Sequence, residues 1–401
     1  MRPAIAWLTA GSAPATNAPL PGGRKTLTRS ATWILALLGL ALIFFFMRDS
    51  LHYLWSGRND YLSFYAGGRL VGSSGLFDPQ QAQIVQMEAA GFFGEALAYI
   101  RPPFYALVFW PLGKLPYRES YFVWQALSVC ALAAFILLWR IPDRKAAMVA
   151  CCCSLPLILA IAHGQDLTFL LLLLAVSLRI YSGRPFTAGL VLSLCAIKFH
   201  LFLLLPLLMA GQKRWRMLGG VAAGGAALAA ISLAAAGSPR QYIELLTQGT
   251  IAPEAQIMPN FYGLLVGVPN SWIFELLLGI VTAGAMWLIS RRADFEYGLA
   301  AALVGGLLIS HHAYPQDCTL LLPALLIILS RSSDWRLNYL CMALFTPWPY
   351  LILTQGDPLN LVRLALATLL IGVLLLCWNS GRRAIPAYTT ADRALLLEDE
   401  S

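Results

Sequence analysis

A charged side chain interrupts an otherwise apolar stretch in the middle of the chain. Lys198 is the one charged residue between Pro185 and Gln212, and His200 follows two positions later. Charges inside a bilayer are costly, face a cavity or a partner, and tend to carry function. An ammonium group there could bind a phosphate or act as a counter-ion, and Lys198 lies too far from either end of the run to be a snorkelling anchor. His200 could be a hydrogen-bonded helix histidine or part of the same site.

A second polar cluster lies at a helix boundary nearer the C-terminus. It contains His311, His312, Tyr314 and Asp317. Adjacent residues point in different directions on a helix, so the two histidines are not an i,i+4 pair of metal ligands. The cluster therefore predicts substrate contact or ordinary polarity at a helix end, and it does not predict a metal site.

Two further polar positions could do chemistry or cap helices. Gln165 and Asp166 separate two apolar runs, and Asp60 lies thirteen residues past the first hydrophobic helix. A carboxylate at the outer membrane face would meet the head group of an amphiphilic substrate. Asp is also a favoured N-cap residue, and each of these acids precedes a helical pattern. Both interpretations are open for Asp60 and for the Gln165-Asp166 pair.

The elements that must position these residues are membrane helices. The 401-residue chain is 59% apolar and 12% charged, and its mean hydropathy is +0.68. Long uncharged apolar runs recur between residues 31 and 378, as in chains that cross a bilayer many times. The sequence predicts an all-α, polytopic integral membrane protein and excludes a soluble enzyme or a secreted disulfide scaffold. The net charge of +8 is attributed to cytoplasmic loops rather than to nucleic-acid binding.

The positions of lysine and arginine residues predict which side of the membrane each polar segment faces. Residues 1–30 are expected to be a disordered cytoplasmic tail, and residues 379–401 a second cytoplasmic tail. Between them, residues 31–378 are expected to form one transmembrane domain of about 12 helices, with both termini inside. The longest polar segment, residues 48–102, is then a first extracytoplasmic loop bearing short membrane-surface helices.

Two arrangements of the middle of the chain are open. If every apolar run there crosses the bilayer, the basic segments 140–145 and 179–184 fall outside. If 103–116 is re-entrant and 186–210 is broken near Lys198, both basic segments lie on the cytoplasmic side, as the positive-inside rule requires. Both arrangements keep both termini in the cytoplasm.

An ordered set of short motifs resembles glycosyltransferase family 87 over about residues 30–380. These are polytopic enzymes of the GT-C superfamily, and they include polyprenol-phosphate-mannose-dependent mannosyltransferases. The motifs are Asn59-Asp60, Phe64-Tyr65-Ala66-Gly67, Leu76-Phe77-Asp78, Arg101-Pro102-Pro103-Phe104-Tyr105, Trp110-Pro111-Leu112, Gly164-Gln165, Ala196-Ile197-Lys198, Arg214-Trp215-Arg216, Asn260, and His311-His312 followed by Asp317 and Leu322-Pro323-Ala324-Leu325. Arg101 stands where members often have Tyr or another residue, and Asp166 stands where Asn is common. These departures leave the identity of the substrate open.

The resemblance implies an inverting glycosyltransferase. It would move a hexose, with mannose as the family suggests, from a polyprenyl-phosphate donor to a hydroxyl of a lipid or envelope-glycan acceptor. The reaction would take place on the extracytoplasmic face of a bacterial-type plasma membrane. By motif position Asp60 is the general base, and Lys198 is the cation beside the leaving phosphate. Donor or substrate binding is also assigned to Arg101, His311, His312, Asp317, Asn59, Gln165, Asp166 and Asn260.

No metal and no other cofactor are expected, because a monophosphate leaves and no paired-carboxylate motif accompanies Asp60. The expected partners are the donor, the acceptor and the lipid bilayer, with no nucleic acid. A polytopic transporter or a flippase of lipids or lipid-linked sugars is the competing interpretation. Transporters often contain two similar halves with broken helices at the midplane, and this sequence shows no convincing internal repeat. The sequence does not predict an oligomeric state.

Overall fold

The structure, a computed structural model, is helical throughout the part of the chain that it describes. That part consists of residues 29–48, 51–91, 97–141, 143–247 and 254–383. No strand occurs among these residues, so the predicted all-α class is confirmed. The predicted tails, 1–30 and 379–401, lie almost entirely outside the described residues.

The described chain forms α-helices joined by turns and four short 3₁₀ segments. The α-helices are α1 (Arg29–Met47), α2 (Leu51–Ser56), α3 (Tyr61–Leu70), α4 (Pro79–Ala90), α5 (Pro103–Phe109), α6 (Tyr117–Leu138), α7 (Arg144–Cys153), α8 (Leu155–Ala162), α9 (Leu167–Ile180), α10 (Pro185–Ser193), α11 (Leu205–Gly211), α12 (Trp215–Ala235), α13 (Pro239–Thr247), α14 (Phe261–Leu264), α15 (Ser271–Ser290), α16 (Phe295–Ile309), α17 (Leu321–Arg331), α18 (Trp335–Phe345), α19 (Trp348–Thr354) and α20 (Leu361–Arg383). The 3₁₀ segments are Leu112–Lys114, Leu194–Phe202, Ala255–Ile257 and Pro315–Leu320.

Within the described residues, five helical segments are long and apolar enough to cross a membrane. They are Tyr117–Leu138, Pro185–Phe202, Trp215–Ala235, Ser271–Ser290 and Leu361–Trp378. The pair α7 and α8 gives a sixth if it crosses as one span, although it is bent by 67°. The chain is therefore a multi-pass membrane protein by its apolar helices, and the prediction of about twelve spans is not confirmed. Several apolar runs are divided into short helices with a proline in the first turn, such as Pro156 and Pro206, because proline suits the first helical turn and no later position.

Helices α10 and α12 pack side by side and run in the same direction. A Cβ on Gly220 would lie 2.1 Å from the carbonyl oxygen of Phe186, and one on Gly224 would lie 2.0 Å from the Ser193 Oγ. Contacts this close leave no room for a side chain, so the two glycines allow the backbones to approach. The packing of α10 on α12 carries the residues that follow α10 into the middle of the bundle.

Replacing Gly220 with Ala is expected to destabilise the protein by about 1–3 kcal/mol, because the added methyl group overpacks the contact between α10 and α12. Gly219 is the matched control, since a Cβ there meets nothing within 4 Å. Gly219→Ala is expected to be neutral or slightly stabilising, because alanine favours helix. Thermal unfolding of both variants in detergent checks the prediction, and equal melting temperatures would contradict the close approach.

Basic side chains collect at one end of the bundle, called here the basic end. The guanidinium group of Arg214 lies 5.1 Å from the ring of Tyr181 and 4.7 Å from that of Phe295. These contacts join the end of α9 to the starts of α12 and α16. Arg331, at the end of α17, forms an ion pair with Asp294 at the start of α16.

The polar residues singled out in the sequence lie at the opposite end, called here the site end. There Ser232, near the end of α12, accepts a hydrogen bond from the backbone N of Phe104 at 3.3 Å. The Asn260 side chain donates to the carbonyl oxygen of Ser310, after α16, at 2.6 Å. The 21 residues of α12 rise about 31 Å. The two ends are thus separated by about the thickness of a bilayer's hydrocarbon core.

The segment between α10 and α11 reverses direction near Lys198. The backbone of Lys198 leaves the helical region, with φ −126° and ψ 55°. Beyond it the chain returns toward the basic end beside α16, because Leu201 lies against Gly306 and Leu208 lies against Gly298. A break near Lys198, which one of the two open arrangements requires, is observed. The lysine therefore lies at the turn of a helical hairpin, where its side chain can reach the site end.

Candidate active site

The residues around Asp60 form a tightly bonded turn before α3. The backbone N of Tyr61 donates to Asn59 Oδ1 at 3.1 Å, and Asn59 Nδ2 donates to the carbonyl oxygen of Ala162 at 2.9 Å. Asn59 thus fills the N-terminal turn and ties it to the end of α8. The Asp60 side chain makes no capping hydrogen bond to α3, which removes the capping interpretation and leaves its carboxylate for another role.

That carboxylate is held by the residue predicted to lie in the same site. Gln165 Nε2 donates to Asp60 Oδ2 at 2.5 Å, and Arg101 Nη2 donates to Gln165 Oε1 at 2.8 Å. Asp60 is partly exposed, whereas Gln165 and Arg101 are buried. A buried amide therefore fixes one oxygen of a carboxylate that solvent can reach.

Asp166 extends this network into the core instead of capping α9. It makes no capping hydrogen bond and lies instead between two cations. Arg101 Nε is 3.2 Å from Asp166 Oδ2, and Lys198 Nζ is 3.8 Å from Asp166 Oδ1. Lys198 also forms a hydrogen-bonded ion pair with Asp317. The structure brings Asp60, Gln165, Arg101, Asp166, Lys198 and Asp317 into one continuous network.

The charges of the buried part of this network balance. Arg101 and Lys198 contribute two positive charges, and Asp166 and Asp317 contribute two negative charges, all from side chains that are at most 10% exposed. Buried charges are tolerated when they are paired in this way. Asp60 is an additional carboxylate, and within the described residues no cation forms an ion pair with it.

The pKa of Asp317 reflects this pairing. Burial raises the pKa of the Asp317 carboxyl, but the Lys198 ammonium and hydrogen bonds from Lys198 and from the backbone N of Tyr314 lower it below the ordinary value. The Tyr314 bond, at 2.9 Å to Asp317 Oδ2, closes the turn at 314–317. Asp317 is therefore ionised, and it fixes both Lys198 and the loop that contains the two histidines.

The histidine loop contains His311, His312 and Tyr314. Burial raises the pKa of the Tyr314 hydroxyl, and the charges of Glu254, Asp317 and Asp60 raise it further. His311 and His312 are exposed on this loop. His311 Nδ1 lies 3.1 Å from Glu275 Oε2.

Asn260 has a clear structural role at the edge of the site. Its Oδ1 accepts a hydrogen bond from the backbone N of Gly263 at 2.8 Å, which caps α14. Its Nδ2 donates to the carbonyl oxygens of Ser310 at 2.6 Å and His311 at 3.3 Å. Asn260 is fully buried, so it positions the histidine loop and is not presented to a substrate.

His200 lies beside the ionic network with an unused polar atom. Its Nδ1 is buried and has no hydrogen-bond partner within the described residues. His200 follows Lys198 by two positions in the 194–202 segment. The interpretation of His200 as a hydrogen-bonded helix histidine is therefore not supported.

Two aromatic residues that the sequence did not single out align the Asp60 turn with the Gln165 turn. Trp124 Nε1 donates to the carbonyl oxygen of Gly164 at 2.8 Å, and Asn59 Nδ2 donates to Tyr121 Oη at 3.2 Å. Both aromatic side chains project from α6. The two residues are three positions apart in the sequence, which places them on one helix face. In the sequence they are indistinguishable from the other aromatic residues of an apolar run.

Within the described residues, no group of three or more His, Cys, Asp or Glu side chains is arranged to hold a metal ion. The polar network of the site consists of paired charges and amides. The class of reaction at this site is indicated by the family to which the chain belongs.

The model of glycosyltransferase family 87 matches residues 99–315, which is more than half of the chain. The chain belongs to glycosyltransferase family 87. The protein is therefore a membrane glycosyltransferase, and the transporter alternative is not supported. The matched region contains Arg101, Gln165, Asp166 and Lys198, whereas Asp60 and Asp317 lie outside it. Comparisons with curated proteins and with solved structures find no match.

In the glycosyltransferase, Gly164 precedes Gln165 and lies at the turn beside Asn59 and Tyr61. Gly164 has φ +68°, and a Cβ there would lie 2.8 Å from Tyr61 Cβ and 3.1 Å from Asn59 Oδ1. Gly164→Ala is expected to lower glycosyl transfer at least about 10-fold, because strain of about 1–2 kcal/mol and a steric clash push Gln165 away from Asp60. Gly183→Ala is the matched control, since its Cβ would meet nothing within 4 Å. Initial rates of both purified variants check this, and equal rates would contradict it.

Proposed function

We propose that the protein is an inverting glycosyltransferase that moves a hexose, specifically mannose, from a polyprenyl-phosphate donor to a hydroxyl of a lipid or envelope-glycan acceptor. The observation that carries the proposal is Asp60. It is a partly exposed carboxylate fixed by Gln165 through one oxygen, next to a buried network that contains two cations. Family membership supplies the reaction class, and the geometry suggests the residues that perform it.

In the proposed reaction Asp60 is the general base. The acceptor oxygen forms a bond to the anomeric carbon while its proton passes to the Asp60 carboxylate. The bond between that carbon and the phosphate oxygen breaks, and its electron pair leaves with the polyprenyl phosphate. Attack opposite to the leaving group inverts the anomeric configuration. Positioned proton transfer of this kind contributes about 10²–10⁴-fold to a rate.

The leaving phosphate is assigned to Lys198 and Arg101, with His312 assisting. Each of the two cations faces a carboxylate, which reduces the positive field but holds the cations in place. Charges fixed in advance stabilise a developing negative charge without reorganisation during the reaction. The exposed His312 supplies a further polar group, and within the described residues no carboxylate forms an ion pair with it.

The site end is assigned to the extracytoplasmic face, and the basic end to the cytoplasm of a bacterial-type plasma membrane. The support is the positive-inside rule, which places arginine-rich turns in the cytoplasm. A lipid-linked donor then enters from the bilayer, with its isoprenoid chain along the exposed apolar helices and its phosphate at the site end. Both chain termini would lie in the cytoplasm.

The test is transfer of radiolabelled hexose by the purified protein in detergent, in the presence of EDTA. Polyprenyl-phosphate mannose, polyprenyl-phosphate glucose and a nucleotide sugar serve as alternative donors, and extracted envelope lipids and glycans serve as acceptors. The expected result is transfer from polyprenyl-phosphate mannose, with inversion determined by NMR of the product. Transfer from the nucleotide sugar alone, or retention of configuration, would overturn the proposed donor or mechanism.

A further inference from the structure

A basic cleft lies at the basic end, about a bilayer's thickness from the candidate active site. It is open to solvent, encloses about 420 Å³, and is formed where the turn between α11 and α12 meets the turn between α15 and α16. Its lining includes Gly211, Lys213, Arg214, Ser290, Arg291 and Asp294. A volume of this size is within the range of small-ligand sites.

The cations of the cleft are not neutralised by the protein. Within the described residues, no carboxylate forms an ion pair with Lys213, Arg214 or Arg291. Asp294, the one acidic residue of the lining, accepts a hydrogen bond from the backbone N of Tyr297 and pairs with Arg331. The cleft therefore carries a net positive charge.

The local backbone and aromatic contacts fix these cations in place. Lys213 adopts φ +55°, a conformation that is uncommon outside glycine and that concentrates at functional positions. The guanidinium of Arg214 lies over the rings of Tyr181 and Phe295, and its Nε donates to Gln212 Oε1 at 2.9 Å. These contacts hold the Arg214 side chain in place before any ligand arrives.

A glycine lines the cleft. A Cβ on Gly211 would lie 1.8 Å from Ser290 Oγ, so the end of α11 lies against the Ser290 side chain at the end of α15 with no room for a methyl group. This contact brings the Lys213 turn beside Arg291. By contrast, Arg336 at the next basic turn lies over the exposed ring of Trp335 at 5.5 Å and is not among the residues that line the cleft.

We infer that this cleft binds the phosphate head group of an anionic phospholipid. The cleft lies at the head-group level of one membrane face, because it is at the end of two helices long enough to span the bilayer. Trp215 and Trp287 beside it are 62% and 39% exposed, and tryptophan is enriched at this depth. Basic pockets between membrane helices bind anionic lipid head groups. The apolar exposed faces of α12 and α15 would contact the acyl chains.

The test compares two double variants of the full chain by native mass spectrometry after delipidation. Lys213→Asn/Arg291→Gln removes two cleft cations, and asparagine tolerates the positive φ. Arg118→Gln/Arg336→Gln removes two exposed arginines outside the cleft. This control therefore has the same net charge as the cleft variant. Each protein is titrated with phosphatidylglycerol, phosphatidylcholine and inorganic phosphate, and thermal unfolding confirms that each is folded.

The wild type is expected to bind phosphatidylglycerol more tightly than phosphatidylcholine. The cleft variant should lose about 30-fold in affinity for phosphatidylglycerol, because each basic side chain near the surface is worth roughly fivefold, and the control should bind like the wild type. Equal affinity in the wild type and the cleft variant would overturn the site. Displacement of the lipid by an equal concentration of inorganic phosphate would overturn the lipid as occupant. The measurement does not involve sugar transfer, so its outcome is independent of the proposed reaction.

Discussion

Asp60→Asn is expected to reduce glycosyl transfer about 10²–10⁴-fold, since an amide cannot accept the acceptor's proton. The substitution is nearly isosteric, and Asp60 makes no capping bond that α3 would lose. The melting temperature should therefore change little. Initial rates at saturating donor and acceptor, measured beside a thermal unfolding curve, check both parts of the expectation.

Asp78→Asn is the matched control for Asp60→Asn. Asp78 precedes α4 and accepts a hydrogen bond from the backbone N of Gln80 at 2.8 Å, a capping role that asparagine performs equally well. Both substitutions remove one carboxylate from the same region of the chain, and only the first removes the proposed base. Equal rates for Asp60→Asn and wild type would remove Asp60 from the mechanism and leave family membership intact.

Lys198→Met is expected to lower the free energy of unfolding by about 3–5 kcal/mol, because it leaves the buried Asp317 carboxylate without its cation. The side chains of Lys198 and Asp317 are each 3% exposed, so solvent cannot replace the lost partner. Thermal or denaturant unfolding in detergent measures the change. Transfer activity should also be lost, since Lys198 is assigned to the leaving phosphate.

A second variant separates these two consequences of the loss of Lys198. Lys198→Met/Asp317→Asn removes both charges and keeps an oxygen to accept from the backbone N of Tyr314, so most of the stability should return while activity stays low. Arg331→Met is the control at the basic end, where the ion pairs are exposed and worth at most about 1 kcal/mol. A Lys198→Met protein as stable as wild type would show that the buried pair contributes nothing to the fold.

Membrane helices could be predicted from the sequence, and a break at Lys198 belongs to one of the two arrangements that the sequence leaves open. A lone lysine in a 28-residue apolar segment has a high cost unless the backbone or a partner accommodates it, and the structure supplies both a reversal of direction and Asp317. The number of crossing helices could not be predicted in the same way. Hydropathy marks apolar runs, but within them new helices begin with Pro156 and Pro206 in their first turns, and a bend such as the one at Ser154 depends on neighbouring helices.

The sequence predicts which residues belong to the polar network better than it predicts which of them contact one another. Asp60, Gln165, Asp166 and Lys198 attract attention as polar residues in apolar surroundings. Which cation faces which carboxylate depends on how α9, α10 and the 315–320 segment pack together, and this information is spread over many apolar contacts. Asn260 illustrates the limit, because its motif position suggested substrate binding while its two hydrogen-bonding groups are used to hold backbone.

Asp166 is shared by Arg101 and Lys198, and this sharing constrains how the site can change over evolutionary time. Replacing the acid leaves two cations repelling one another, and replacing either cation leaves a surplus of negative charge in a dry interior. Each single substitution is costly, whereas simultaneous substitutions that keep the charges balanced are not. The effects of substitutions at the three positions should therefore be strongly non-additive. Libraries that vary one position at a time will understate what this triad tolerates, and new charge patterns will be recovered only when all three positions are randomised together.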